Sequence, residues 1–372
     1  MQAKTPPIRH YLDCNATAPL RPEAKAAMRD AMDITGNASS VHAEGRTARA
    51  LVDASRRQVA DLMKVRPSTV HFTASGTEAN NWALSAVAGG KLVAATSHDS
   101  TLNADNEIIG LPVDGNGLVD MHELSRLITN RNATLVSVMA VNNETGVIQP
   151  LEEISAICRR HDVLLHVDAV QAPGKIDPES IAALADLISL SAHKLGGPAG
   201  CGALLVMGAL DPDPLIRGGG QEQRRRAGTE NLIGIAGFGA AAEAVSQEGR
   251  SERSRLSELR DRLESALCAR DKDAEVFGQD VSRAPNTTCI RMPGVAAETQ
   301  VMALDLAGVS VSAGSACSSG KVTASHVLLA MGVGRRAAGE AIRISLGWNT
   351  TDADVDACID AWTALWRRKR AA

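Results

Sequence analysis

HVDAVQ, residues 166–171, and LISLSAHKLGGPAGCGALLV, residues 187–206, decide how this chain is read. Each opens as a short apolar run of the kind that forms a strand buried on both faces. The first closes on Asp168 and Gln171. The second closes on Ser191, His193 and Lys194, ahead of a Gly-rich turn. In an open α/β sheet, ligands bind beyond the carboxyl ends of the strands, so these residues are candidates for one site. A lysine there can form a Schiff base with an aldehyde cofactor. An aspartate there can pair with a pyridinium nitrogen and keep the ring an electron sink. Taken singly, each reads more simply as a solvated strand-end lysine and a helix-capping aspartate.

Working outward, TVHFTAS (69–75), KLVAATS (91–97), TLVSVMAV (134–141) and CGALLVM (201–207) are further strand-like runs, and GTEANNWALSAVA (76–88) is helical. Strands alternating with helices predict an α/β fold with a mostly parallel mixed sheet flanked by helices. Upstream, YLDCNATAPLRPEA (11–24) predicts a short strand, a polar loop and a helix from Pro22. GNASSVHAEGRTARALVDASRRQVADLM (36–63) predicts a loop and a long helix. Downstream, SERSRLSELRDRLESALCAR (251–270) is charged and helical, and NTTCIRMP, VSVSAG and AIRISLG are short strands. The expected division is a large domain over 20–255 and a smaller α+β domain from 1–19 and 256–372.

A chain of 372 residues with 44% hydrophobic residues is long enough for two such bodies. A net charge of −4 gives no basic field for nucleic acid or a membrane surface, and 2% aromatic residues gives no base-stacking platform. The seven cysteines are odd in number, scattered and without a C-x-x-C pair, which disfavours a disulfide framework or a zinc site. MQAKTPPIRHYLD lacks an apolar signal core, and no apolar run of membrane-spanning length follows. The expectation is a soluble, cytoplasmic protein binding no metal, nucleic acid or membrane.

Three more segments bear on the site. Ser75-Gly76-Thr77-Glu78 joins a strand to a helix, where backbone N–H groups and the Thr77 hydroxyl make an anion site, or simply a capping box. VNNETGV (141–147) puts Asn143 and Glu144 at a strand end, and SHDST (97–101) does so for His98. Cys317 lies in Ser315-Ala316-Cys317-Ser318-Ser319-Gly320. Small, polar neighbours make a poor core strand and suit an exposed thiol.

HVDAVQ and SAHKLGGPAGCGAL, with TASGTEANN, VNNETGV, RAGTEN, YLDCNATAPLRPE, GNASSVH, GSACSSGKVTASHVLLAMG and AIRISLG, resemble the cysteine desulfurases in order and spacing from about residue 11 to 350. These are class V aminotransferase-like enzymes of the fold-type I pyridoxal phosphate group. The resemblance implies that Lys194 holds pyridoxal 5'-phosphate, Asp168 pairs with its pyridine nitrogen, Gln171 bonds its phenolic oxygen and His98 stacks on its ring. It implies that Gly76, Thr77, Ser191 and His193 bind the phosphate, and that Thr229 reaches the phosphate of the other subunit of a homodimer. Asn143 and Arg343 would hold the carboxylate of the substrate L-cysteine, with Asn15 beside it. Cys317 would take the sulfur, on the long mobile loop of one subgroup, for a sulfur-acceptor protein such as an iron–sulfur scaffold.

Two features depart from that pattern. Asp13-Cys14-Asn15-Ala16-Thr17-Ala18 has Cys14 where relatives often carry an aromatic residue or Asn, and the chain stops soon after its last helix, at WRRKRAA. The short tail leaves the iron–sulfur scaffold open as a partner. A selenocysteine lyase, another pyridoxal phosphate aminotransferase and a non-enzymatic scaffold are the alternative readings.

Overall fold

The computed structural model describes residues 9–314 and 324–371. Their strands are β1 (His10–Tyr11), β2 (Val70–Thr73), β3 (Gly90–Ala94), β4 (Ile108–Leu111), β5 (Ala133–Met139), β6 (Leu164–Asp168), β7 (Leu187–Ser191), β8 (Gly202–Val206), β9 (Glu275–Val276), β10 (Thr287–Arg291), β11 (Val309–Ser310), β12 (Ser312–Ala313) and β13 (Ala341–Ser345). Seven form one sheet in the order β2-β8-β7-β6-β5-β3-β4. Only β8 runs against the other six, so the mostly parallel mixed sheet expected from the alternation is what forms. β7 and β8 are buried at every position, because helices cover both faces. The sequence reading named no strand at β4, whose outer position leaves it half-covered and without a sustained apolar run.

A second sheet, β12-β13-β10-β9, is antiparallel, and β1 pairs in parallel with β11. Each of the two larger sheets has its own apolar core. One includes Val138, Val167, Leu190 and Phe238, and the other includes Leu12, Leu263, Ile344 and Trp362. The helical stretch Leu232–Arg270 serves both. Its first part lies on the helices Pro22–Met32 and Ala43–Met63, and its later part packs on Asp352–Ala371. It breaks at Gly249, whose φ of 58° and ψ of −143° a side chain would strain.

Trp362 is fully buried in the second core. Its indole Nε1 has no hydrogen-bond partner among the described residues. Trp362→Ala is expected to cost about 3–5 kcal/mol of stability, read as a lower midpoint in urea unfolding. Trp362→Phe should cost less, since it removes the unpartnered N–H and leaves a smaller void. No described helix is long and apolar enough to cross a membrane.

Candidate active site

All the strand ends that matter point the same way. β2, β3, β5, β6 and β7 run in one direction, so the residues just past them collect at one edge of the sheet. There a cavity of about 330 Å³ opens. Asn15, Gly76, Thr77, His98, Asn143, Asp168, Gln171, Ser191, His193, Lys194 and Arg343 all line it. Thr229 does not; it is exposed on the surface. Cys317 lies outside the described residues, but Gly314, just before its segment, is part of the cavity wall.

Asp168 sits at the end of β6, fully enclosed. Its Oδ1 accepts from Val170 N–H at 3.0 Å and its Oδ2 from Asn80 Nδ2 at 2.8 Å. Burial raises its pKa, against those two bonds. Among the described residues it has no ion-pair partner. Asn80 escaped the sequence reading, although it stands four residues after Gly76 and so on the same helix face. The helix Gly76–Ser85 is capped by Ser75, whose side chain accepts from Glu78 N–H at 3.0 Å. The N–H groups of Gly76 and Thr77 precede the first intrahelical bonds and face the cavity as an anion site. A Cβ at Gly76 would come within 2.9 Å of Val170 Cγ2, so only glycine lets the turn pack this close.

His98 Nδ1 accepts from Ser100 N–H at 3.0 Å. This assigns the proton of the neutral ring to Nε2. His193 Nδ1 pairs with Thr17 Oγ1 at 3.1 Å, and burial, with the Lys194 charge behind it, pushes its pKa down to about 4. Lys194 closes the short turn Ala192–Lys194. Its ammonium donates to Asn15 O at 2.6 Å and Ala16 O at 2.9 Å.

Asn15 is the hub. Its carbonyl also accepts from Gln171 Nε2 at 2.9 Å, and its Nδ2 donates to Asn143 O at 3.0 Å and Thr287 Oγ1 at 2.9 Å. Thus the segment after β1 ties the second sheet to the cavity. Arg343, on β13, reaches in from that sheet. It donates to Asp13 Oδ1 at 2.7 Å and Asn143 O at 3.2 Å, and its Nε is buried without a hydrogen-bond partner among the described residues. Neighbouring Cys14 is buried and its thiol is pushed up to about 12 by that burial, which makes it a poor nucleophile.

Glu144 bonds Ser325, after the segment that carries Cys317, and lies close against Gly314 before it. Ser325 Oγ donates to Glu144 Oε2 at 2.5 Å, and a Cβ on Gly314 would come within 2.8 Å of that oxygen. His326 Nε2 pairs with Ser97 O at 2.9 Å, and His326 also lines the cavity.

These residues fit pyridoxal phosphate. The cavity supplies an amine at Lys194, an enclosed carboxyl at Asp168 that lacks a cation, and an anion site at a helix N-terminus where a side chain would not fit. No group of three or more metal-ligating side chains occurs among the described residues.

Comparison with known proteins agrees. The family model for aminotransferase class-V matches residues 10–358. A cysteine desulfurase of Cereibacter sphaeroides is 42% identical over 98% of this chain and 97% of its own. Cysteine desulfurase IscS of Dictyoglomus turgidum is 39% identical over 97% and 95%. The solved NifS-like protein of Rickettsia africae is 34% identical and superposes with a TM-score of 0.90 over 96% of this chain and 99% of its own. A solved SspA in complex with cysteine is 28% identical, with a TM-score of 0.79 over 91% and 98%. By these matches this chain belongs to the aminotransferase class-V family of pyridoxal phosphate enzymes, among the cysteine desulfurases.

Proposed function

We propose that this protein removes sulfur from L-cysteine, releases alanine and holds the sulfur as a persulfide on Cys317. The observation that carries the reading is one cavity lined by Lys194, Asp168 and Arg343 whose wall includes Gly314. Cys317 follows Gly314 by three residues, and three residues of chain reach at most about 11 Å.

Bound pyridoxal phosphate withdraws electron density from the α-carbon of an amino acid and so acidifies its α-proton. Lys194 would hold the aldehyde, and its amine when free would take that proton. Asp168 would keep the ring nitrogen cationic, and Gln171 would donate to the phenolic oxygen. His98 would stack on the ring. Gly76, Thr77, Ser191 and His193 would bind the phosphate. Arg343 meets the substrate carboxylate with Asn143 and Asn15, which suits the unused Nε of its guanidinium. The Cys317 thiol gives up its proton, with His98 as the candidate base through Nδ1 once Ser100 N–H releases it, and the thiolate attacks the substrate sulfur. An S–S bond forms as the C–S bond breaks, so L-cysteine and a thiol become alanine and a persulfide.

The exposure of Thr229 suits a role across a homodimer interface, at the phosphate of the other subunit. The described cysteines are all free thiols, in keeping with a reducing compartment such as the cytoplasm. A sulfur-acceptor protein, of the kind used in iron–sulfur cluster assembly, would take the persulfide sulfur. The two apolar cores, divided near Gly249, support a large domain over 20–255 and a small one from 1–19 and 256–372.

The test is to give the pyridoxal phosphate-loaded protein L-cysteine and a thiol reductant. Alanine and sulfide should appear in equal amounts with no keto acid present. Alanine that forms only with a keto acid would make the protein a transaminase, and turnover confined to selenocysteine would make it a selenocysteine lyase.

A further inference from the structure

Lys175 stands one turn of chain beyond Gln171, and neither composition nor motif singled it out. Its ammonium donates to the side-chain oxygen Gln171 Oε1 and, at 2.9 Å, to Asn15 Oδ1. Gln171 Nε2 and Lys194 both donate to the carbonyl of the same Asn15. Two lysines are therefore joined through one asparagine, with the Gln171 amide between them. Lys175 and Lys194 also share the wall of a second, smaller cavity of about 50 Å³.

We propose that Lys175 is a positioning residue of this active site, whose ammonium fixes the Gln171 amide and the Asn15 side chain and sets a second positive charge beside Lys194. The inference rests on the reading of Lys194 as the cofactor-bearing amine.

Two physical consequences follow. An amide has one oxygen and one NH2 group. With Oε1 committed to Lys175, Gln171 is left with its NH2 as the end available to the cavity, which is the end that can donate to an anionic oxygen. Lys175 thus chooses the rotamer that serves the site. The second consequence is electrostatic. Lys175 is only partly covered as a residue, yet its charged end is deep. Burial, and then the charge on Lys194, push its pKa down to about 7. The repulsion is mutual, so a protonated Lys175 favours the neutral form of Lys194. A neutral amine is the form that attacks an aldehyde and accepts a proton.

Around the small cavity that the two lysines share stand Arg21, Glu248 and Glu252, with Arg21 paired to Glu248. Cys14 and the Arg343–Asp13 ion pair lie on the Lys175 side. Asp168, His98 and His193 lie on the Lys194 side. Cys14 stays protonated through the neutral range, and Arg343 does not titrate there. Lys175 is a basic group whose pKa is brought down toward neutrality by burial and by Lys194, and it touches the Lys194 network through Asn15.

The test uses the pyridoxal phosphate-loaded protein and its Lys175→Met, Lys175→Gln and Lys175→Arg variants. The readout is the visible absorbance of the bound cofactor as a function of pH, without substrate. Removing a like charge raises the pKa of its neighbour. The titration midpoint of the Met and Gln variants is therefore expected to move up by about one pH unit or more, while Lys175→Arg stays near the parent. A purely structural lysine would leave that midpoint in place, and coincident titrations for all four proteins would overturn the proposal. So would loss of folding in both neutral variants, seen by thermal melting of the cofactor-free proteins, because Lys175 would then be a packing residue. A parent protein that takes up no pyridoxal phosphate and stays colourless would instead refute the reading of Lys194, a result distinct from an unshifted band.

Discussion

Lys194→Ala is expected to abolish the cofactor's visible absorbance band and to slow alanine formation from L-cysteine by about 10²–10⁴-fold or more. The reason lies in where the amine sits. Among the described residues that line the cavity it is the one lysine, and it stands just past a strand end on the same wall as the enclosed carboxyl of Asp168. Without it nothing at that place holds the aldehyde or takes the α-proton. The fold should survive. In the cofactor-free chain Lys194 donates to the carbonyls of Asn15 and Ala16, and Asn15 O keeps a second donor in Gln171. The expected loss of stability is about 1–3 kcal/mol, which circular dichroism on heating would measure. A variant that kept both its colour and its rate would remove Lys194 from the chemistry.

Cys317→Ser is the second large effect. The bound cofactor should keep its absorbance, because the cavity groups that hold it are untouched, whereas sulfur transfer should fall to background. A serine hydroxyl does not ionise in the working range, and the thiolate is the nucleophile. After treatment with L-cysteine, mass spectrometry should find one extra sulfur on the peptide bearing Cys317 in the parent and none on that peptide in the variant. Sulfide release at the parent rate would show that another group takes the sulfur. Cys14 is a poor substitute, since its thiol is enclosed and held near 12.

Local order explains why so much of the fold could be read in advance. β5, β6, β7 and β8 are short, apolar and bounded by turns, and strands buried on both faces leave that mark on a sequence. The helix from Pro22 begins where proline fixes its first turn. β4 left no such mark, because an outer strand with one open side needs no continuous apolar run. The reversal of β8 was equally silent: its composition matches that of its parallel neighbours, and direction is set by the short Gly-rich turn that brings the chain straight back from β7.

The site divides in the same way. Asp168 and Lys194 announce themselves because chemistry-bearing residues at the ends of apolar runs stand out. Asn80, Glu144 in its bond to Ser325, and Lys175 do not, because each acts through a partner far away in the chain or through a single amide. Asn80 lies 88 residues from the Asp168 oxygen it steadies, and Ser325 lies 181 residues from Glu144.

From residues alone came the alternation of strands and helices, the lysine and aspartate at their ends, and the cysteine set among small polar neighbours. These are consequences of local periodicity and residue type, which a linear string carries in full. The tertiary structure alone decided that Asn15 joins two lysines, that Arg343 enters from the second sheet, and that Glu144 bonds Ser325 across 181 residues of chain. Such contacts depend on which distant segments the packed cores bring together, and no local pattern encodes that.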